Sequence, residues 1–270
     1  MSYNFYVVAT PIGNLSDISM RAVEVLKSVD YIACEDTRVT RILADKYSIK
    51  AKLFDCHKFN EKEKSCKILD LLKDDKKVAL VSDAGTPCIS DPGSTLIKTL
   101  YENGVKITSV PGACAVTTFL SLVPRDSEEY AFIGFIPRVK KQQYDILDKY
   151  RYTNCVFYES PNRLMDTLLN IQEFFGEDKK IAVARELTKV FEEVKIDEVK
   201  NIIKYYRENT LKGEIVALVF AQDKKEDSNE FIMEKINILK EEGYSPKDIS
   251  KIISKLYNIN KNKVYKMVIG

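Results

Sequence analysis

Apolar residues in this chain recur in two rhythms. Short runs rich in β-branched and aromatic residues stand at FYVVATP (5–11), DYIACED (30–36), AKLFDCH (51–57), KVALVSD (77–83) and VKITSVP (105–111), and runs of that length and composition predict buried strands. Between them the apolar positions follow helical spacing over Ile18–Val29, Thr37–Tyr47, Glu61–Leu72 and Gly93–Asn103, as at Ile68, Leu71 and Leu72. Unbroken apolar strands alternating with helices predict a mostly parallel sheet covered on both faces. PGACAVTTFLSLV (111–123) reads as a turn opening a buried helix. A second set of strands follows at YAFIGFIP (130–137), NCVFYES (154–160), KIAVARE (180–186) and GEIVALVFA (213–221), with helices over Lys140–Tyr150, Asn162–Phe175 and Asp197–Glu208. The expected fold class is therefore α/β, with one domain over residues 1–111 and a second over 112–222.

QDKKEDSNE (222–230) has no apolar residue and reads as a linker. Beyond it lie three short helical patterns, Phe231–Glu242, Ser245–Tyr257 and Asn260–Ile269. Ser245-Pro246 supplies an N-cap and a proline at the first helical position. Three short helices with tight connections predict a small helix-turn-helix-like module over 229–270.

Charge and composition narrow the partners. The chain has 270 residues and a net charge of only +2, so no global basic field draws it to nucleic acid. Residues 243–270, however, carry six lysines and a single acid, Asp248, which makes that segment +5 and everything before it −3. The asymmetry points to an anionic partner at this end, or to a solvated helical face. The start, MSYNFYVVATPIGNL, lacks a basic leader, and the apolar runs are only strand-length, so neither a signal peptide nor a membrane span is expected and the chain reads as cytoplasmic. The six cysteines form no C-x-x-C pair and read as reduced core thiols. With one histidine, His57, no zinc cluster is expected.

Open α/β sheets bind ligands at the carboxyl ends of their strands, and here those ends are dense in Gly, Pro and charge: ATPIGNLSD (9–17), CEDTR (34–38), DCHKFNE (55–61), SDAGTPCISDPG (82–93), YESPNR (158–163) and ARELTK (184–189). No G-x-x-x-x-G-K-[ST] or G-x-G-x-x-G occurs, so a phosphate cradle is not signalled. Instead Asp83 and Asp91 flank a loop that Gly85 opens to close approach and Pro87 and Pro92 stiffen. Carboxylates at a cleft mouth suit a ligand with positive charge or ribose hydroxyls, and S-adenosylmethionine has both. The plain alternative is a tight turn with an Asp cap.

ATPIGNLSDISMRAVEVL, CEDTRVTRIL, HKFNE, VSDAGTPCISDPG, FYESPNRL, ARELTKVFEE and KGEIVALV together resemble the ribosomal RNA small subunit methyltransferase I family of the tetrapyrrole methylase superfamily. The similarity runs in consistent order from Tyr6 to about Val219, and SPKDISKIISKLYNINKNKVYKM is similar to the family's terminal helical module. The resemblance implies two α/β domains of the tetrapyrrole-methylase type with the cofactor cleft between them, a homodimer, and methyl transfer from S-adenosyl-L-methionine. The methyl acceptor it implies is the ribose 2′-oxygen of a cytidine in the decoding centre of 16S rRNA, within the 30S subunit. By matching motifs it implies a cofactor pocket of Pro11, Asp83, Ala84, Gly85, Thr86, Ile89, Cys114, Ala115, Tyr158, Ala184 and Gly213. Cys114 stands where serine is usual, which leaves one hydrogen bond to the cofactor open.

A ribose hydroxyl is a weak nucleophile, so a nearby base would assist in-line attack on a sulfonium methyl. Candidates are His57, Glu35, Asp36, Glu61 and Glu186, with Lys189 beside Glu186. His57 can also serve only to orient its loop through Asn60 or Glu61, and Glu186 and Lys189 can be a structural pair. Arg38, Arg163 and Arg185, with Lys247, Lys251, Lys255, Lys261 and Lys263, are the candidate contacts to RNA phosphates. Arg38 can equally pair Asp36 or Glu35. Two other functions fit parts of the pattern: methylation of a small tetrapyrrole-type molecule, and RNA binding without catalysis. The intact SDAGTP loop argues against the second, and the lysine-rich module against the first.

Overall fold

The structure is a computed structural model that describes residues 3–209, 211–222, 229–257 and 259–269. Its contacts divide the chain into two units, 1–220 and 221–270.

The first unit begins with β1 (Phe5–Val8), α1 (Met20–Ser28), β2 (Tyr31–Cys34), α2 (Thr37–Tyr47), β3 (Lys52–Asp55), α3 (Glu61–Lys73), β4 (Val78–Leu80), α4 (Ser94–Glu102) and β5 (Ile107–Val110). These strands form one sheet in the order β3-β2-β4-β1-β5, every neighbour parallel. Alternate side chains point to opposite faces. Val8, Ile32, Cys34 and Ala79 pack on Leu26 of α1 and Leu43 of α2, whereas Phe5, Ala33, Phe54, Val78 and Leu80 pack on Ile68 of α3 and Leu96 and Leu100 of α4. Both faces are dry, as the unbroken apolar strands require.

After α5 (Ala115–Leu122) a second sheet forms from β6 (Tyr130–Phe135), β7 (Asn154–Glu159), β8 (Lys180–Arg185), β9 (Glu193–Glu198) and β10 (Ile215–Val219), with α6 (Lys140–Lys149), α7 (Pro161–Phe175) and α8 (Val199–Glu208). Its order is β6-β7-β10-β8-β9. Only β6 and β7 run parallel; β10 is antiparallel to both β7 and β8, and β9 is antiparallel to β8. The first sheet is thus parallel, as its alternation predicts, and the second, for which no strand direction was expected, is mixed. The physical reason lies in the connections: residues 186–192 between β8 and β9 are too few for a parallel crossover. The helix expected from Asp197 starts at Val199, because Asp197 and Glu198 still pair with Ile181 and Lys180.

The antiparallel course of β10 matters for the site. Ile215, its first residue, pairs with both Glu159 and Arg185, the last residues of β7 and β8. Three segments that are distant in sequence thus meet at one edge.

The second unit holds α9 (Asn229–Glu241), α10 (Pro246–Tyr257) and α11 (Lys261–Ile269). Each helix gives an i, i+4 pair to a shared core: Ile232 and Ile236, Ile249 and Ile253, Val264 and Val268. Ser245 caps α10 as expected, its Oγ accepting the Asp248 N–H at 3.2 Å and donating to the Asp248 carboxylate. Most of the linker expected at 222–230 lies outside the described residues.

Cys34, Cys56 and Cys155 are buried, and burial pushes their thiols up to about 11, 12 and 12; Cys66 is exposed, so it is not a core thiol. Among the described residues no helix is long and apolar enough to cross a membrane, and no cluster of His, Cys, Asp and Glu could hold a metal ion.

Candidate active site

β1 and β4 are neighbours, so the loops that follow them adjoin. Thr10 and Gly85 exchange two backbone hydrogen bonds, N–H to carbonyl at 2.9 and 3.0 Å. The Thr10 hydroxyl reaches the Ser82 carbonyl at 3.1 Å, and the Thr86 hydroxyl donates to the Ala113 carbonyl at 3.0 Å. Gly85 has φ +78°, and a Cβ there would stand 3.3 Å from Ile12 Cγ2, so a side chain would be both strained and crowded. The SDAGTP loop is thereby pinned to the β1 loop on one side and to the segment before α5 on the other.

The second sheet supplies the facing wall. Glu186 (φ +54°) and Thr188 (φ +65°) turn the chain sharply after β8. The Glu186 carboxylate takes the Lys189 ammonium at 2.7 Å and the Glu214 N–H at 3.0 Å, and Lys189 also reaches Glu214 at 3.0 Å. Burial raises the Glu186 pKa, but the bonds from Lys189 and the Glu214 N–H outweigh it and hold the carboxyl below its usual range. Burial likewise disfavours the Lys189 charge, and its two carboxylate partners reverse that. Gly213 (φ +95°) passes so close that a Cβ there would fall 2.3 Å from the Glu186 carboxyl. The Thr188 Oγ1 accepts the Asn14 N–H at 3.1 Å, which fastens this loop to the one after β1.

Between the walls lies a cleft of about 340 Å³. The first sheet contributes Ile12 and, after β4, Ala84, Gly85, Thr86, Ile89, Ser90 and Asp91. Cys114 and Ala115 open α5 beneath it. The second sheet adds Phe135, Tyr158 to Pro161, Leu187 and Gly213 to Val216. The Tyr158 ring is boxed edge-on by Phe132 and Phe135, with centroids 5.0 and 5.5 Å away, and its burial pushes the phenol pKa up. The lining is small or apolar with a few polar groups, the usual make-up of a pocket for a cofactor-sized molecule.

Eight residues expected in a cofactor pocket line this cleft: Ala84, Gly85, Thr86, Ile89, Cys114, Ala115, Tyr158 and Gly213. Ala184 is buried on β8 opposite the lining residue Val216. Pro11 and Asp83 line a separate cavity of about 50 Å³ with Leu15, Val39 and Leu43. There the Asp83 Oδ1 accepts the Asp36 N–H at 3.0 Å, and burial raises the Asp83 pKa. Of the two aspartates flanking the loop, Asp91 is the one in the cleft wall. Phe135, Leu187 and Glu214 were not named among the pocket residues; Phe135 ends an apolar strand, and the other two lie within the ARELTK and KGEIVALV motifs.

The candidate bases are mostly engaged. The His57 N–H donates to Asn60 Oδ1 at 2.8 Å, and its Nδ1 accepts the Phe59 N–H at 3.3 Å. The neutral ring then carries its proton on Nε2, which lies 3.8 Å from the Asp55 carboxylate. Glu61 is buried, with Oε1 on the Leu96 N–H at 2.7 Å. Glu35 stays unabsorbed by such bonding: burial, then Asp83 and Asp91, raise its pKa.

The arginines differ in the same way. Arg163 donates to the Ile136 carbonyl at 2.8 Å and to Glu159 Oε2 at 2.9 Å, where the fully buried carboxylate also holds Thr167 and the Ser160 N–H. Arg185 lies 4.0 Å from Glu193. Arg38 is exposed and grips Asp36, whose pKa falls to about 2 through those bonds. On α10 and α11, Lys247, Lys251, Lys255, Lys261 and Lys263 are exposed.

Two sheets, one parallel and one mixed, with a small-residue cleft at the strand ends, define a class. The chain belongs to the tetrapyrrole (corrin/porphyrin) methylases, whose family model matches residues 4–203. Solved structures share the fold: diphthine synthase at TM-score 0.65 and 16% identity, covering 82% of this chain and 90% of that one, and cobalt precorrin-4 methyltransferase at 0.60 and 18%, covering 80% and 94%. Within the class the chain belongs to the ribosomal RNA small subunit methyltransferase I family. It is 39% identical over 266 residues to the protein of that name from Haemophilus influenzae, covering 96% of this chain and 94% of the relative. It is 40% identical over 270 residues to the one from Buchnera aphidicola, covering 98% and 95%.

Proposed function

We propose that the protein is an S-adenosyl-L-methionine-dependent methyltransferase acting on ribosomal RNA, and that its target is the ribose 2′-oxygen of a cytidine in the decoding centre of 16S rRNA. The observation that carries this reading is the cleft itself: its lining unites the SDAGTP, YESPN and KGE segments in a chain nearly 40% identical to enzymes named for ribosomal RNA methylation.

The residues present fit the cofactor. Ala84, Ala115 and Gly213 leave room for a flat ring, and Ile12, Ile89 and Leu187 offer apolar contact. The Ala84–Thr86 backbone is held open by its bonds to Thr10 and Ala113. When bound, the cofactor supplies a methyl group on a positively charged sulfur. The protein's part is to exclude water with Phe135 and Leu187, fix the acceptor oxygen in line, and receive its proton. Because His57, Glu61 and Glu186 are bound into structure, alignment supplies most of the acceleration in this reading. Arg38 and the lysines of α10 and α11 are the cations left to meet phosphates, whereas Arg163 and Arg185 brace the cleft wall. The protein acts as a homodimer in the cytoplasm on 30S subunits.

The test uses S-adenosylmethionine with a tritiated methyl group and offers 30S subunits, naked 16S RNA and a porphyrinoid. Label is expected in 16S rRNA, in a dinucleotide that resists alkaline cleavage, because cleavage needs a free 2′-hydroxyl. Label in the porphyrinoid alone, or in an alkali-labile product, overturns the reading.

A further inference from the structure

The cleft lining contains no lysine, arginine or histidine among the described residues, but it contains three carboxylates: Asp91, Glu159 and Glu214. Two are already answered. Glu159 is buried and bound to Arg163, Thr167 and the Ser160 N–H. Glu214 sits at the exposed rim and pairs with Lys189 at 3.0 Å. Asp91 is different. It is half-buried, the nearby Ser82 hydroxyl donates to the Ala84 and Gly85 carbonyls at 3.1 and 3.2 Å, and the charges that act on it, Asp83 and Glu214, are both negative. Burial and these neighbours raise its pKa, the mark of an anion without a counter-ion. The Asp91 charge also reaches Tyr158 across the cleft, where it adds to the effect of burial on the phenol.

An uncompensated carboxylate in a low-dielectric wall is costly unless a ligand brings the missing charge. We infer that Asp91 holds the positive charge of the methyl donor in the cleft, and through it distinguishes the sulfonium cofactor from the neutral thioether product. The inference rests on the proposed use of S-adenosylmethionine. A sulfonium has no N–H to donate, so it can be recognised only by a field, and a fixed anion inside the cleft provides one. An ammonium, by contrast, has N–H groups and can be served by water at the wet rim. When the methyl group leaves, the electron pair of the sulfur–carbon bond stays on sulfur and the charge there vanishes. Asp91 then regains its unpaired state and the product is no longer favoured. The carboxylate would thus bias the cleft towards the loaded form and help to clear it after each transfer.

The test is calorimetric binding of S-adenosylmethionine, S-adenosylhomocysteine and sinefungin, whose amine mimics the sulfonium charge, at mildly alkaline pH. The full-length protein is compared with Asp91→Asn and Asp91→Glu. Asparagine keeps the shape, and glutamate keeps the charge. An opposite charge within a few ångströms is worth about ten- to a thousandfold. Asp91→Asn should therefore weaken S-adenosylmethionine and sinefungin at least about tenfold and S-adenosylhomocysteine less than about threefold, and Asp91→Glu should restore much of the difference. Equal losses for all three ligands, or wild-type binding by Asp91→Asn, overturn the inference. A wild-type protein that binds none of the three ligands defeats instead the cofactor reading on which it rests.

Discussion

Glu61 is buried at the start of α3, and its role can be decided by two substitutions. Its Oε1 accepts the Leu96 N–H at 2.7 Å, in the first turn of α4. That helix has no cap of its own, because Gly93 precedes it at φ +127° and any Cβ there would lie 2.6 Å from Cys88 Sγ. Glu61 therefore caps α4 from a neighbouring helix. A hydrogen bond to a charged group contributes about 1.5–3 kcal/mol, and a carboxylate at a helix N-terminus gains about 0.3–2 more from the macrodipole. The desolvation of the carboxylate offsets part of this, so Glu61→Ala should cost about 2–3 kcal/mol. At about 2–4 °C per kcal/mol for a unit of this size, the midpoint of thermal unfolding should fall by about 4–12 °C. Glu61→Gln keeps an acceptor for Leu96 and should lose less than half of that. The assay is calorimetric or circular-dichroism melting, together with single-turnover methylation of 30S subunits below the melting range. If Glu61→Ala melts like wild type, the capping argument fails. If Glu61→Gln is stable yet a hundredfold slower, Glu61 is the base and not a cap.

His57→Ala should change the single-turnover rate at saturating RNA by less than about threefold, because Nδ1 is taken by Phe59 and the protonated Nε2 faces Asp55; a loss of 10²-fold or more would mark a general base. Glu35→Gln, in contrast, should slow that step by about 10²-fold with cofactor affinity kept if Glu35 is the base, since burial and then Asp83 raise its pKa; an unchanged rate removes it. The Glu186 pKa is lowered on folding, so its ion pair stabilises above the ordinary value of 4.5 and is lost as pH falls through the lower folded value. Lys189→Met should therefore lower urea stability at pH 7 and matter progressively less as pH falls below 4.5, and a loss that does not change with pH would refute the pairing. Lys247, Lys251 and Lys255 recur every four residues on α10, opposite the buried Ile249 and Ile253. Replacing all three with Gln should reduce the slope of log affinity for RNA against log salt by about 2 if one strand is bound, and an unchanged slope would clear this face of RNA.

The parallel sheet was legible because its central strands, β2 and β4, are buried on both faces, and an apolar run records burial directly. β9 was missed for the converse reason: at the sheet edge, EVKIDE needs only Val194 and Ile196 against the core, and its charges read as the start of a helix. Strand direction in the second sheet was illegible from pattern, since β10 is apolar whichever way it runs. Motif loops marked the cleft well, because Gly, Pro and small residues are needed wherever backbone approaches a ligand. Charged residues were harder. Composition shows that an Asp, Glu or Arg is present but not which partner the fold presents to it. Asp83 turns to the Asp36 backbone while Asp91, eight positions on, faces the cleft, and nothing local to SDAGTPCISD distinguishes them.

The same partner accounting bears on mechanism. Methyl transfer from a cationic sulfur to a ribose oxygen needs an aligned approach throughout and a proton acceptor only as the bond forms. In the proposed reaction the cleft walls suit the first requirement: Thr10 with Gly85, Thr86 with Ala113, and Glu186 with Lys189 and Glu214 brace the loops, and the Asn14 N–H bond to Thr188 Oγ1 ties a loop of one sheet to a loop of the other. Removing any one should loosen geometry and not abolish chemistry. The second requirement falls to a group whose conjugate acid is neither too strong nor already bound. His57, Glu61 and Glu186 fail on binding, and Asp36, held near 2 by Arg38, fails on acidity. Glu35 is the candidate left without such a bond among the described residues, and Asp83 and Asp91 help to raise its pKa, although it is not one of the residues that line the cleft. In the proposed reaction a cation brought in by the donor would offset the Asp91 charge that helps to raise the Glu35 pKa, and so would favour the ionised Glu35 carboxylate.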